Sequence, residues 1–114
     1  MLCEIGRWQV TKKNSKKHLE MWIAWMDYIR TNRSKFHFGR SRLFVLETRG
    51  SDVEDWRWID EYEDQKAYDK MGKAMQTDAE IVKVKAKFMK DWESVRVPNS
   101  FKTEIWVEKP ELGV

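Results

Sequence analysis

Apolar positions along the chain follow two periods, near two in four stretches and near 3.6 in two others. LCEIGRWQV, residues 2–10, alternates loosely and predicts a first strand. From Ser15 to Arg30, Leu19, Trp22, Ile23, Met26 and Ile29 align on one helical stripe, with Asn14 or Ser15 as the N-cap. Met21, Trp25 and Tyr28 widen that stripe to an arc of about 220°, more than a helix lying on one sheet needs. A basic, turn-rich linker with Gly39 as its bend leads to RLFVLETR, residues 42–49. That second strand is apolar on both faces, which implies cover on both sides. The turn GSDVE joins it to DWRWIDEYED, residues 55–64, and the two strands read as a hairpin. Alternation sends Trp56, Trp58, Asp60 and Tyr62 to one face of that third strand, and Asp55, Arg57, Ile59, Glu61 and Glu63 to the other.

A second helical region begins near Asp64, with Ala67, Tyr68, Met71 and Met75 on one face. Thr77-Asp78-Ala79-Glu80 fits a capping box that restarts the helix, and Ile81, Val84, Phe88, Trp92 and Val95 continue its apolar face. Pro98 disfavours helix at the residue before it. FKTEIWVEK then alternates Phe101, Thr103, Ile105 and Val107 against Lys102, Glu104, Trp106 and Glu108 as a last strand. The order β-α-β-β-α-β predicts a ferredoxin-like α+β fold, with a four-stranded antiparallel sheet and both helices on one face. Residues 1–114 read as a single domain. Because every strand has apolar residues on both sides, the face away from the helices is expected to be apolar. Large exposed apolar patches are rare on soluble monomers, so a symmetric homodimer packed sheet on sheet is the expected cover.

Composition narrows the classes. The 114 residues hold one cysteine, Cys3, which excludes an internal disulfide and a Cys-based zinc site from one chain; it reads as a small buried strand residue. There are 22 basic and 19 acidic side chains, for a net charge of +3, a balance that disfavours nucleic acid as partner. The longest apolar run, MWIAWM, is too short to span a bilayer, and no apolar run of signal length opens the chain. A soluble cytoplasmic protein is expected. The seven tryptophans carry more apolar surface than a single small core needs, which points to a pocket or an oligomer interface. No P-loop, nucleophile elbow, dinucleotide fingerprint or zinc motif occurs. FGRSRLFV shares letters with an RNA-binding strand but lacks its paired aromatics, which leaves an RNA-binding module as a distant third reading.

In element order, and in the segment WRWIDEYEDQKAYDKM, the chain from about Cys3 to Glu108 resembles the dimeric α/β-barrel superfamily. Its members include NIPSNAP-type proteins, antibiotic-biosynthesis-type monooxygenases, haem-degrading enzymes and stress-responsive A/B-barrel proteins. The resemblance implies a homodimeric barrel. It also implies either a small-molecule-binding protein of NIPSNAP-like or stress-responsive type, or a cofactor-independent monooxygenase or isomerase acting on an aromatic or polyketide-like compound. Haem-degrading members use a histidine on the second helix, and residues 64–97 contain none. No cofactor is therefore expected. Trp25, Trp58 and Tyr62 are residue types that the cofactor-free members place around an aromatic substrate.

The candidate ligand wall is Trp56, Trp58 and Tyr62, joined by Trp22 or Trp25 from the first helix and by His37 near the barrel mouth. It would suit a small aromatic or apolar ligand. Trp58, Asp60 and Tyr62 are the candidate catalytic residues, with Asp60 as hydrogen-bond acceptor or general base. Burial between aromatics favours a neutral carboxyl and so poises it near neutrality. The bland alternatives are a core or interface stripe for the aromatics, and an ion pair with Arg7 for Asp60; the ion pair is the stronger expectation. His18 and His37 lack the spacing of a metal site and are expected at the surface or in a cap. Which register holds decides whether Trp56 and Trp58 meet the helices or a partner subunit.

Overall fold

The structure is a computed structural model that describes residues 1–47 and 50–114. Four strands, β1 (Leu2–Thr11), β2 (Arg40–Val45), β3 (Val53–Tyr62) and β4 (Lys102–Val107), form one antiparallel sheet in the order β2-β3-β1-β4. Helix α1 (Ser15–Thr31) connects β1 to β2, while α2 (Gln65–Thr77) and α3 (Ala79–Val95) connect β3 to β4. This is the ferredoxin-like arrangement, with the second helix broken in two. β2 begins two residues earlier than the pattern predicts and its last residue is Val45. The expected end of that strand, Thr48 and Arg49, lies outside the described residues.

The break between α2 and α3 falls where the capping chemistry puts it, one residue later than the Thr77 cap predicted. Asp78 caps α3, its carboxylate accepting from the Glu80 and Ile81 amides at 3.1 and 3.0 Å. Asp64 caps α2 in the same way through the Ala67 amide, at 2.8 Å. α1 has no side-chain cap; the Asn14 amide reaches the Val95 carbonyl instead. The linker after α1 is tied down by Arg33, whose guanidinium donates to the Phe36, Phe38 and Gly39 carbonyls.

The core lies between sheet and helices and is built on indoles. Trp8 on β1 stacks on Trp22 of α1 (5.3 Å between centroids, 18° between planes) and meets Trp92 of α3 edge-on at 5.0 Å. These separations are those at which aromatic pairs attract. The buried side of α1 is His18, Trp22, Trp25 and Ile29, so Leu19 and Ile23, expected in the core stripe, are half exposed. The two bulky indoles centre the helix, and the aliphatic part of the broad arc turns outward. His18 is not at the surface as expected; it is fully buried, and the Trp8 Nε1–H donates to its Nε2 at 2.8 Å. Desolvation lowers its pKa to about 4, so the imidazole is neutral.

Register settles the faces of the sheet. Gly6 opposes Trp58, Trp8 opposes Trp56 and Leu2 opposes Tyr62, so both β3 tryptophans face the helices. The opposite face carries three cross-strand rows: Arg40-Glu61-Cys3-Trp106, Arg42-Ile59-Ile5-Glu104 and Phe44-Arg57-Arg7-Lys102. It is mixed in character, not apolar as the alternation suggested, because Arg7 of β1, Arg40 and Arg42 of β2, Arg57 and Glu61 of β3, and Lys102 and Glu104 of β4 all fall on it. Cys3, expected to be buried, is half-buried on this face. Arg7 pairs there with Glu104, and Arg42 with Glu61 at 3.5 Å. The Arg7–Asp60 ion pair therefore does not form; the two side chains point to opposite faces. Among the described residues no helix is long and apolar enough to cross a membrane.

Candidate functional site

Between the sheet and α2–α3 lies a cavity of about 560 Å³. Its walls are Trp22 and Trp25 from α1, Trp58 from β3, and Phe88 and Trp92 from α3. Met71 and Met75 of α2 line the side towards the helix break. At one end stand Glu4 of β1, Asp60 and Tyr62 of β3, and Tyr68 of α2. A second concavity of about 860 Å³ opens on the far face of the sheet around Arg7, Arg57, Lys102 and Phe44. The helix-side cavity concentrates aromatic surface and unmet polar atoms, and we take it as the candidate site.

Its flat wall depends on Gly6. A Cβ at that position would stand 2.5 Å from the nearest atom of the Trp58 ring, closer than any side chain tolerates. The indole therefore lies directly on the β1 backbone, which a glycine alone allows. Phe88 continues the wall, edge-on to Trp22 at 4.8 Å and stacked on Trp25 at 5.0 Å. Arg96 lies 4.4 Å over the Trp92 ring from its outer side.

The polar end is unusual in charge. Glu4 and Asp60 are directly opposed on neighbouring strands, where Cβ atoms lie roughly 4.5–5.5 Å apart. Neither carboxylate forms an ion pair among the described residues. Burial raises the Asp60 carboxyl to about 7; a hydrogen bond with Ser41 holds it back and the Glu4 charge adds to the rise. Asp60 Oδ1 is buried with no partner among the described residues, as are Trp22 Nε1, Trp58 Nε1 and Trp92 Nε1. Burial also raises the Tyr62 phenol, and it raises that of Tyr68, which hydrogen-bonds Glu4.

Of the residues singled out from sequence, the cavity brings together Trp22, Trp25, Trp58, Asp60 and Tyr62. Trp56 does not line it; its ring packs on His18 at 4.8 Å and its Nε1–H reaches Glu54. His37 is exposed, with only its backbone amide donating to Met71 Sδ. Glu4, Tyr68, Phe88 and Trp92 went unread as site residues. Phe88 and Trp92 carry the same signal as any helix core, and Glu4 becomes visible only once the β1–β3 register is known. Among the described residues no cluster of three or more His, Cys, Asp or Glu could hold a metal ion.

No family model matches the chain, and no curated protein matches it in sequence. Solved structures do. An antibiotic biosynthesis monooxygenase is similar over 96% of this chain and 100% of its own, with 13% identity and a TM-score of 0.60. An uncharacterised NIPSNAP domain protein from Burkholderia xenovorans is similar over 96% and 95%, at 12% identity and a TM-score of 0.61. SnoaB, a cofactor-independent oxygenase from Streptomyces nogalater, is similar over 95% and 92%, at 7% identity and a TM-score of 0.57. Together with the strand order and the placement of both helical segments on one face, these likenesses show that the chain has the ferredoxin-like α+β fold.

Proposed function

We propose that the chain is a small-molecule-binding protein of NIPSNAP-like or stress-responsive type, acting as one domain over residues 1–114 in the cytoplasm. Its ligand is planar and largely apolar, and it sits between the sheet and the helices. One observation carries this reading: three indole N–H groups and one Asp60 oxygen are buried around an aromatic cavity without partners among the described residues. Each such unmet group costs about 1–3 kcal/mol. A flat ligand that brings an acceptor and a donor relieves that cost while filling the aromatic walls. We also propose a homodimer joined through the far sheet faces. Support comes from the exposed Phe44, Leu46 and Trp106 and from the mixed charges of the cross-strand rows, which offer one copy's carboxylates to the other's guanidinium groups.

Native mass spectrometry of freshly purified protein at low micromolar concentration tests both parts. The expected species is a dimer carrying an additional small-molecule mass. A bare monomer contradicts the dimer, and a failure of aromatic compounds to add mass to either species contradicts the binding reading.

A second reading is favoured by the poise of Asp60. A carboxyl raised to about 7 in an apolar pocket is ionised in part at neutral pH and basic enough to take a proton from an acidic C–H or O–H. Return of that proton to another carbon is an isomerisation; passage of the resulting anion's electrons to dioxygen is an oxygenation. SnoaB is described as a cofactor-independent oxygenase. In this reading Asp60 is the base, Tyr62 its neighbour, and Trp58 the surface under the reacting ring, with no cofactor. Oxygen consumption with an anthrone or quinol substrate, abolished in Asp60→Asn and reduced in Trp58→Phe, is its expected signature. Turnover unaffected by Asp60→Asn would refute the assignment.

A further inference from the structure

Among the described residues, the charge at the Asp60 end of the cavity has no counterpart. Two carboxyl groups, Glu4 and Asp60, oppose each other across β1 and β3 inside an aromatic enclosure. Like charges in directly opposed strand positions destabilise a sheet, and the burial of Asp60 adds the cost of desolvation. A protein that needed only packing here would place apolar residues at both positions. Two lysines also border the cavity, yet neither answers the pair. Lys85 Nζ is held by the Met75 carbonyl at 3.0 Å, at the far side by the helix break, and Lys73 is exposed on α2 beside Asp69. Tyr68 donates to Glu4 and so satisfies a lone pair without supplying charge. Asp60 Oδ1 stays unpartnered among the described residues.

The walls point the same way. Trp22, Trp25, Trp58 and Tyr62 line the same cavity, and the faces of such rings attract cations, by about 0.5–2 kcal/mol per contact. Carboxylates at one end and π faces around them make an environment that accepts a positive charge and a flat apolar body together. We propose that the Glu4–Asp60 pair is a subsite for a protonated amine, and that the pocket's ligand is an aromatic or polycyclic compound bearing an ammonium group. This deepens the small-molecule reading and rests on it. The ammonium satisfies Asp60 Oδ1, offsets the repulsion between the two acids and is held between them, while the ring system lies on Trp58.

Binding therefore couples to protons. An ammonium arriving beside Asp60 favours its ionised form, so uptake of the amine near neutral pH expels a proton that a neutral ligand leaves in place. Isothermal titration calorimetry with 2-naphthylmethylamine and 2-naphthylmethanol separates the two contributions, because the probes share a ring and differ in charge. The amine is expected to bind at least about tenfold more tightly at pH 7, equivalent to ~1.4 kcal/mol. It is also expected to release protons, read from the dependence of the heat on buffer ionisation enthalpy. Glu4→Gln and Asp60→Asn should each remove most of the amine's advantage over the alcohol. Equal affinities for the two probes in the unmodified protein would overturn the amine subsite while keeping the aromatic pocket. A preference for the amine that survives both substitutions would overturn it too, by placing the attraction elsewhere. Absence of binding by either probe would overturn the subsite and the small-molecule reading together.

Discussion

Replacing Asp60 by asparagine removes a charge that the fold disfavours, and its effect on stability depends on pH in a defined direction. In the folded chain the Asp60 carboxyl is raised to about 7 from its ordinary 3.8, chiefly by burial. A raised folded value means that the full contribution is present below 3.8 and is lost as pH rises through 7. At about 1.4 kcal/mol per pH unit, that loss reaches about 4 kcal/mol above pH 8, an upper figure because the cavity lets some water in. Asp60→Asn keeps the shape and loses the titration, so it should match the unmodified protein near pH 4 and exceed it by up to about 4 kcal/mol at pH 8.5. His18 runs the other way. Its folded value is lowered to about 4 from 6.5, so its contribution is full above 6.5 and is lost as pH falls through 4. Between those values the two groups cancel in the unmodified chain, whose stability should be nearly flat. In Asp60→Asn only His18 remains, and stability should fall by about 1.4 kcal/mol per pH unit on acidification through that window. Urea unfolding followed by tryptophan fluorescence at pH 4.5, 6.5 and 8.5 measures both slopes. A variant less stable than the parent at pH 8.5, or a difference that does not change with pH, would refute the reasoning.

Further outcomes follow from particular contacts. Gly6→Ala puts a Cβ into the Trp58 ring and must push the indole into the cavity; a loss of about 1–3 kcal/mol is expected in urea unfolding. Planar probes should bind it more weakly, and adding Trp58→Leu should recover most of the stability. Asp78→Ala removes the acceptor for the Glu80 and Ile81 amides, so α3 should be destabilised and those two amides should exchange faster by hydrogen exchange. Trp8→Phe leaves His18 Nε2 buried without its donor and should cost about 1–3 kcal/mol beyond the lost contacts, a penalty that His18→Phe in the same chain should relieve.

Strand alternation made the β3 face legible. Trp56, Trp58, Asp60 and Tyr62 do share one side, because side-chain parity in a strand is local geometry and needs no knowledge of neighbours. What required neighbours was lost. Glu4 sits in a loosely alternating strand and gains meaning only when Asp60 is placed opposite it. Charge alone matches Arg7 to Asp60, although the parity of Trp8 sends it to the far face. On α1 the apolar arc is too broad for periodicity to find its centre, so the pattern puts Leu19 and Ile23 inward and His18 outward, the reverse of their burial. A histidine counts as polar in such a pattern, whereas here the Trp8 indole satisfies its Nε2 inside the core and its Nδ1 is buried without a partner among the described residues. Trp92 and Phe88 read as ordinary helix core and are that, with one face left over for the cavity.

The most direct test of the cavity as a ligand site uses its own tryptophans. The seven indole N–H groups give separate signals in a proton–nitrogen correlation spectrum, each assignable by substitution. On titration with 2-naphthylmethylamine, the signals of Trp22, Trp58 and Trp92 should move together and saturably as the naphthyl ring settles among them. The signal of Trp106, on the far face of the sheet, should stay in place. Shifts confined to Trp106, or no saturable shift at Trp22, Trp58 and Trp92 with any planar probe, would contradict the site.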